Sequence, residues 1–246
     1  MHVLTIYAHS NPKSFCHAVL DQFTAGLREA GHSIEVVDLY AIGFDPVHRP
    51  RDTPSWLTET IPDDVLERMR VRESLLEGAG GPLRRFAMKR LLGDRDARGI
   101  IRLLRERFQP ADVLVQQQKV ARAQALAFIA PVHFLGFPAI LKGWLDRVWT
   151  PGFAYDLTAD AWRGDINGRR ARLTHQKALI IQTTIWDERS YDTGLREAMR
   201  KIIDEYTLTY PGIKHVEHEL FYAVHGADDA TRRGYLDRAR ELGRNF

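Results

Sequence analysis

The chain has 246 residues, 44% hydrophobic and 27% charged, which is ordinary for a soluble globular protein and long enough for one large or two small domains. Its net charge of +3 comes from interleaved acidic and basic residues, which argues against nucleic-acid binding and suits a small anionic ligand. A single cysteine excludes an internal disulfide, no apolar run approaches the roughly 20 residues of a membrane span, and the amino terminus enters a strand pattern directly, so we expect a cytoplasmic protein.

The amino terminus predicts a strand, a loop and a helix. Residues 3–8 are apolar and end in the turn cluster at 9–12, and Ser14 then precedes an amphipathic helix that ends near residue 31. Backbone N–H groups at such a helix terminus favour phosphate, although an ordinary N-cap at Ser14 gives the same local pattern. Neither G-x-G-x-x-G nor a Walker sequence is present, which excludes the Rossmann and P-loop classes.

The next part of the chain predicts a second strand followed by an insertion. Residues 33–39 contain β-branched residues, and residues 45–62 carry four prolines and are expected to be extended. Three charged helical segments follow, at about 63–77, 83–92 and 96–108. Because strand patterns of one sheet lie on both sides, we expect a helical insertion at about 45–110 within a single domain, 1–246.

The centre of the chain places a loop where ligands bind in open α/β sheets. The apolar run at 125–130 predicts a buried strand closed by Pro131, and Pro138 suits the first turn of a helix that ends near Val148. The loop 131–137 therefore follows the carboxyl end of a strand, and its histidine, phenylalanines and glycine suit a flat aromatic ligand. An ordinary strand–loop–helix with apolar packing would have the same spacing.

The remaining predicted elements complete an alternation of strands and helices. They are a helix at 111–122, a loop at 156–176, a strand at 177–184, a helix at 195–206, a strand at 214–224 and a helix at 228–242. Five strands that alternate with helices predict a parallel sheet covered on both faces. His215 and His218 would point to opposite faces of their strand, so we expect no metal site there.

Three motifs carry a resemblance to a known family. They are AHSNPKSF at 8–15, APVHFLGFPAILKGWLDRVWTPGFAY at 130–155, and Thr183-Thr184 after a strand. With these three motifs in this order, the chain resembles the flavodoxin-like NAD(P)H:quinone oxidoreductase family. Residues 45–110 and the last strand match the family only loosely. With the right-handed crossover rule, the resemblance implies a flavodoxin-like, doubly wound five-stranded parallel sheet of order 2-1-3-4-5.

The resemblance also implies an activity and a set of site residues. The expected enzyme transfers a hydride from NAD(P)H through a flavin to a quinone or related aromatic acceptor, with ping-pong kinetics, in a homodimer without nucleic-acid partners or membrane insertion. FAD is the implied cofactor and FMN the alternative. The implied cofactor-binding residues are His9, Ser14, Phe15, Cys16, Pro131, Val132, His133, Phe134, Leu135, Thr183, Thr184 and Tyr191. The implied substrate-contacting residues are His133, Phe134 and Trp186.

Several residues depart from the family pattern and keep other functions open. The implied catalytic pair is Tyr191 and Glu197, and Glu197 stands where the family has a histidine. Ile185 replaces a glycine, and the bulky Trp186 would narrow the pocket or stack on a substrate. These departures leave room for a reductase of azo or nitro aromatics, and for a non-catalytic partner or regulatory subunit with the same fold.

Overall fold

Seven strands form two sheets in the computed structural model, which describes all residues from 1 to 246. In chain order the strands are β1 (His2–Tyr7), β2 (Ser33–Asp38), β3 (Ala125–Pro131), β4 (Tyr155–Leu157), β5 (Arg169–Ala171), β6 (Lys177–Thr183) and β7 (His215–Phe221). The main sheet is parallel with the order β2-β1-β3-β6-β7, which confirms the predicted order 2-1-3-4-5. Strands β4 and β5 pair antiparallel as a separate ribbon.

Twelve α-helices connect and cover these strands. In chain order they are α1 (Phe15–Glu29), α2 (Thr53–Trp56), α3 (Asp63–Met69), α4 (Val71–Glu77), α5 (Pro82–Leu92), α6 (Ala97–Arg107), α7 (Ala111–Arg122), α8 (Ala139–Val148), α9 (Ala159–Trp162), α10 (Glu188–Tyr191), α11 (Leu195–Arg200) and α12 (Asp229–Arg244). A 3₁₀ turn spans Pro50–Asp52, and a π-helix spans Lys201–Thr209. No helix combines the length and the apolar character that a membrane crossing requires.

The central strands are buried on both faces because helices cover each side of the sheet. Strands β1, β3 and β6 therefore contain nearly continuous apolar residues, as parallel strands do. One apolar cluster joins the sheet to α8, and another joins it to α1 and α12. Helices α1 and α12 pack closely at Gly243, where an added Cβ would lie 2.2 Å from the carbonyl oxygen of Phe23.

The segment between β2 and α7 contains helices α2 to α6 and has an apolar cluster of its own. Its buried members include Leu57, Ile61, Leu66, Leu92, Ile100 and Leu104. A buried ion pair connects this segment to the sheet domain: Nε of Arg147 on α8 donates to Oδ1 of Asp52 at 2.9 Å, and both side chains are buried. The segment thus has an apolar core of its own, and the Asp52–Arg147 ion pair attaches it to α8, which packs against the sheet.

Two stretches predicted to lack regular structure have it. Residues 45–62 are not fully extended, because Pro50 and Pro54 start a 3₁₀ turn and helix α2, where the missing proline N–H costs nothing. Residues 156–176 are not simply a loop but carry the ribbon β4–β5 and helix α9. Each ribbon strand has only three residues, which is too short for an alternating pattern to be visible in the sequence.

Two predicted helix details also differ from the structure. Pro138 is the N-cap of α8 and does not lie in its first turn. The helix predicted to end near residue 206 is α-helical only to Arg200 and continues as the π-helix. Its buried residues Met199, Ile203 and Leu208 are spaced by four and five positions, which fits the wider turn of a π-helix.

Candidate functional site

The first loop of the site runs from β1 to α1 and ends at the amino terminus of the helix. Ser14 is the N-cap, and its Oγ accepts a hydrogen bond from the backbone N–H of His17 at 3.1 Å. The backbone N–H groups of Phe15 and Cys16 donate to no acceptor, because the first turn of a helix has no earlier helical carbonyl to bond. Free N–H groups and the positive end of the helix dipole suit a phosphate group at this position.

His9 lies in the same loop and is held as a neutral donor. The backbone N–H of Asn11 donates to Nδ1 of His9 at 3.0 Å, so the proton of the neutral ring is on Nε2. Burial lowers the pKa of His9, which favours this uncharged form. The ring can therefore donate one hydrogen bond to a ligand.

Hydrogen bonds of the sheet hold the second and third loops side by side. Pro131 at the end of β3 pairs with Thr183 at the end of β6, and the N–H of Val132 donates to the carbonyl of Thr183 at 2.8 Å. The N–H of Thr184 donates to the carbonyl of Phe221 on β7 at 2.9 Å. The register of the parallel strands thus brings the loops to one edge of the sheet.

The second loop contains a tight turn whose backbone is strained. Phe134 and Leu135 have φ angles of 43° and 68°, in the left-handed region that favours glycine. Two backbone hydrogen bonds between His133 and Gly136, 3.0 and 3.2 Å long, close the turn. The side chain of Phe134, at the tip of this turn, is fully exposed.

The third loop is fixed by a hydrogen bond from Tyr191. The Tyr191 hydroxyl donates to Oγ1 of Thr184 at 2.7 Å, and the N–H of Trp186 donates to the same oxygen at 3.2 Å. A threonine hydroxyl has two acceptor positions and one proton, so the proton of Thr184 is left to donate to a ligand.

Together the loops enclose a cavity of about 610 Å³ at the carboxyl edge of the sheet. This volume lies in the range of small-molecule and cofactor sites. The predicted residues that line it are His9, Ser14, Phe15, Cys16, Pro131, Val132, His133, Phe134, Thr183 and Thr184. None of its 15 lining residues is acidic, so the cavity is suited to an anionic ligand.

Cys16 contributes a neutral side chain to this cavity. Burial raises the pKa of its thiol to about 12, although a hydrogen bond with Thr183 acts in the opposite direction. At neutral pH the thiol is protonated and weakly nucleophilic. Cys16 therefore brings no negative charge that would repel a phosphate.

A fourth loop, which the sequence analysis did not assign to the site, completes the cavity. From this loop, Val224 and His225 line the cavity, and so does Arg232 on the following helix α12. Asn11 of the first loop and Ile185 of the third also line the cavity. One guanidinium NH₂ of Arg232 donates to the carbonyl oxygens of Val224 and His225, whereas its Nε is buried without a partner. The sequence could have predicted this loop as part of the site, because β7 is parallel to β6 and the loops that follow parallel strands lie at the same edge of the sheet.

A second, mostly apolar cavity of about 360 Å³ adjoins the first across the strained turn. His133 and Phe134 line both cavities, and Leu135 lines only the second. The other apolar residues around the second cavity are Phe137, Leu195, Ala198, Met199, Ile202 and Ile203. A polar, cationic space and an apolar space thus meet at the turn.

The structure does not bring four of the predicted site residues into the larger cavity: Leu135, which lines only the second cavity, and Tyr191, Glu197 and Trp186. Tyr191 is fully buried, because its ring packs against Tyr222 at 5.3 Å between ring centroids, and it reaches the cavity only through Thr184. Glu197 is exposed on α11 and lines neither cavity. Trp186 is partly exposed beside Tyr191 and also lines neither cavity. No group of three or more His, Cys, Asp or Glu side chains is arranged to hold a metal ion.

Comparisons with known proteins agree with this arrangement. Residues 1–242 match the Flavodoxin_2 family model, described as a flavodoxin-like fold. The chain is 29% identical over 225 residues to NAD(P)H dehydrogenase [quinone] 1 of Cavia porcellus, covering 90% of this chain and 68% of that protein. It is 26% identical over 237 residues to ribosyldihydronicotinamide dehydrogenase [quinone] of Pongo abelii, covering 95% of this chain and 87% of that protein.

A solved structure shows the same similarity in three dimensions. The NAD(P)H:quinone oxidoreductase from Methanothermobacter marburgensis has a TM-score of 0.68 and 32% identity with this chain. The superposition covers 100% of this chain and 95% of that structure.

Proposed function

Because the chain belongs to the flavodoxin-like NAD(P)H:quinone oxidoreductase family, we propose that it is a flavin-dependent enzyme that transfers electrons from NAD(P)H to quinones or related aromatic acceptors. The observation that carries this proposal is the cavity at the carboxyl edge of the sheet. Its phosphate-suited helix terminus and the turn that carries Phe134 line one space, as an amphipathic cofactor requires.

The lining residues fit a flavin nucleotide. The free N–H groups of Phe15 and Cys16 and the hydroxyl of Ser14 are suited to its phosphate. The hydroxyl of Thr184 is suited to the polar edge of its ring, and Pro131 and Val132 line the same cavity. A bound flavin supplies two-electron hydride chemistry between NAD(P)H and an acceptor, and the protein supplies binding and orientation.

We propose FAD as the cofactor and FMN as the alternative. Arg232 supports FAD, because its buried Nε has no partner and would bind a second phosphate beyond the one at α1. Replacing Arg232 by glutamine is then expected to weaken FAD binding about tenfold and to leave FMN binding unchanged. The matched control is Arg233→Gln, because Arg233 is the exposed neighbour on the same helix and lines no part of the cavity.

The second cavity supports an aromatic acceptor. Its apolar walls and the exposed ring of Phe134 favour a flat, poorly hydrated molecule at the turn. Trp186 lines neither cavity, but its side chain is partly exposed and is available to stack on an acceptor. Tyr191 would act through Thr184 by orienting its hydroxyl, so it is a positioning residue in this proposal.

A homodimer and a cytoplasmic location complete the proposal. Exposed apolar side chains border the second cavity, namely Phe134, Leu135 and Ile202. The exposed Tyr206 lines a further shallow cavity of about 320 Å³ that shares Lys142 and Thr207 with the second one. A second copy that covers this surface would enclose the acceptor site. Ile202→Glu is expected to give monomers in sedimentation equilibrium, whereas Leu83→Glu, an exposed apolar residue on α5, is expected to keep the dimer. The absence of any disulfide supports the cytoplasmic location.

The activity is tested on the purified protein and the cofactor it carries. The flavin is released by denaturation and identified, and the intact holoprotein is mixed anaerobically with NADH or NADPH in a stopped-flow instrument. We expect rapid loss of the flavin absorbance and its return when a quinone is added. A protein that binds no flavin, or whose flavin stays oxidised with both nucleotides, would contradict the proposal and favour a non-catalytic subunit.

A further inference from the structure

Helix α5 of the insertion has two apolar stripes, and only one of them faces the rest of the protein. Met88, Leu91 and Leu92 pack in the apolar cluster of the insertion. Leu83 and Phe86 lie one turn apart on the other side of the helix and are 84% and 67% exposed. The outer stripe therefore presents a large aliphatic and an aromatic side chain that the fold does not use.

The same helix carries positive charge that the chain does not neutralise. Residues 78–93 contain no acidic residue. Elsewhere in the insertion, Arg98 pairs with Asp63 and Arg102 pairs with Glu59. The cations of α5 are exposed and form neither an ion pair nor a side-chain hydrogen bond, and they are Arg84, Arg85, Lys89 and Arg90. This charge is left for a partner outside the chain.

The unpaired cations and the exposed apolar side chains share one surface. Phe86, Lys89 and Arg90 line the same shallow depression. Leu83, Phe86 and Arg90 also follow the i, i+3, i+7 spacing of a single helix face. With 11 residues, α5 presents this face over about 16 Å. Phenylalanine and leucine bordered by lysine and arginine are typical of helices that lie in the plane of a membrane interface.

We propose that α5 docks the protein on an anionic phospholipid surface. Leu83 and Phe86 contact the boundary between headgroups and acyl chains, and the cations beside them bind lipid phosphate and carboxylate groups. The stems of Lys89 and Arg90 are long enough to keep their charges at headgroup level while the phenyl ring lies deeper. Docking of this kind is peripheral and requires no membrane-spanning helix.

The charge and shape of this surface favour lipid over other partners. A symmetric contact with a second copy would bring two sets of unpaired cations together, which is repulsive. A nucleic acid would match the charge but would leave the aliphatic side chain of Leu83 in water. An apolar acceptor of the kind proposed for the second cavity partitions into lipid; this advantage rests on the proposed function, whereas the docking rests on α5.

The test is sedimentation of the protein with vesicles, without nucleotide or acceptor. One set of vesicles contains phosphatidylcholine with phosphatidylserine, and the other contains phosphatidylcholine alone. We expect the protein to sediment with the anionic vesicles at low salt and to remain in solution with the neutral ones. Added salt is expected to weaken binding, because it screens the attraction between the cations and the lipid.

Two variants of α5 separate the apolar from the charged contribution. Phe86→Ser is expected to weaken binding to anionic vesicles about tenfold at both low and high salt, since it removes a buried ring. The double variant Lys89→Gln/Arg90→Gln is expected to weaken it about 25-fold at low salt, because each cation near an anionic surface contributes about fivefold. The second loss is expected to shrink at high salt. All three side chains are exposed or lie at the rim of the depression, so the fold is expected to remain.

Matched controls remove similar side chains from other surfaces. Arg28→Gln/Arg233→Gln removes the same net charge from two exposed arginines on α1 and α12 that form no ion pair. Ile166→Ser removes an apolar side chain that is 62% exposed. Both controls are expected to bind anionic vesicles like the wild type.

The inference is overturned if the protein stays in solution with anionic vesicles at low salt, or if the controls lose as much binding as the α5 variants. Binding to a DNA duplex or to polyglutamate that depends on Lys89 and Arg90, without binding to vesicles, would also overturn it. No flavin reaction is measured, so failure of the docking leaves the proposed function intact, and a protein without flavin still gives a decisive vesicle result.

Discussion

The carboxyl edge of the sheet and the inserted helices α2 to α6 are built in different ways. At the edge, backbone hydrogen bonds between parallel strands set the position of each loop, as the pairs Pro131–Thr183 and Thr183–Phe221 show. The inserted helices pack around an apolar cluster of their own and join the sheet side through Arg147 and Asp52. Backbone register places the site, whereas side-chain contacts attach the insertion.

This difference makes the two regions respond differently to substitution. The site loops follow from the strand order, so their relative positions are insensitive to the identity of most surface residues. The junction of the insertion depends on specific side-chain and close backbone contacts, among them Gly143, where an added Cβ would lie 2.2 Å from the carbonyl oxygen of Pro46. Its attachment is therefore expected to be the more vulnerable feature.

The largest effect is expected at the buried ion pair. Asp52→Asn removes a charged partner from the buried Arg147, which keeps Asp112 and the carbonyl of Asp45. We expect a loss of about 3 kcal/mol in the free energy of unfolding, because the buried guanidinium of Arg147 loses one of the two carboxylates that offset the cost of removing its charge from water. Urea denaturation measures it.

The control for this ion pair is Asp63→Asn in the same insertion. Asp63 pairs with Arg98 at 2.7 Å, but its side chain is 83% exposed, so we expect a change below about 0.5 kcal/mol. Equal losses in the two variants would show that burial is not what makes the Asp52 contact important.

A matched pair of helix N-caps separates function from stability. Ser14 caps α1 at the site, and Asp96 caps α6 in the insertion by accepting from the N–H of Gly99. Each alanine variant is expected to lose about 1 kcal/mol of stability. Only Ser14→Ala is expected to weaken flavin binding as well, about tenfold, in fluorescence titrations. Equal flavin affinities in both variants would remove Ser14 from the site.

The smallest expected effect concerns the opposite edge of the sheet. His175 is buried, its Nε2 bonds the carbonyl of Val120 at 2.9 Å, and its Nδ1 is buried without a partner. Burial lowers the pKa of His175 in the folded state, so the unfolded chain takes up a proton at higher pH than the folded one. The free energy of unfolding therefore falls as the pH drops below the ordinary histidine value of about 6.5.

The variant His175→Gln is expected to lose stability less steeply over that acidic range. Urea denaturation at pH values from neutral to mildly acidic measures the slope. An unchanged slope in the variant would assign the acid sensitivity to other groups.

The sheet and three of its loops could be predicted from the sequence because their signals are local. Apolar runs mark β1, β3 and β6, and each is followed directly by a polar or glycine-containing loop that must lie at the carboxyl edge. The resemblance to the quinone oxidoreductase family then assigned Ser14, His133 and Thr184 to these loops as site residues, and each lines the cavity.

The remaining site features depend on contacts between distant residues. Arg232 lies in a helix whose sequence resembles any charged surface helix, and only the fold shows that its Nε faces no partner. The Tyr191 hydroxyl was expected at the ligand, but packing against Tyr222 directs it to Thr184. Hydrogen bonds also link Asp204 in the π-helix through His218 and Gln182 to the turn at Gly136, which no sequence spacing indicates.

Hydrogen–deuterium exchange with and without FAD tests the central claim most directly, because it reports on both regions in one experiment. We predict that FAD slows exchange together in residues 9–16, 131–137 and 183–187, and leaves residues 53–107 unchanged. Protection confined to the inserted helices, or protection of only one of the three loops, would contradict a flavin site built by the register of the sheet.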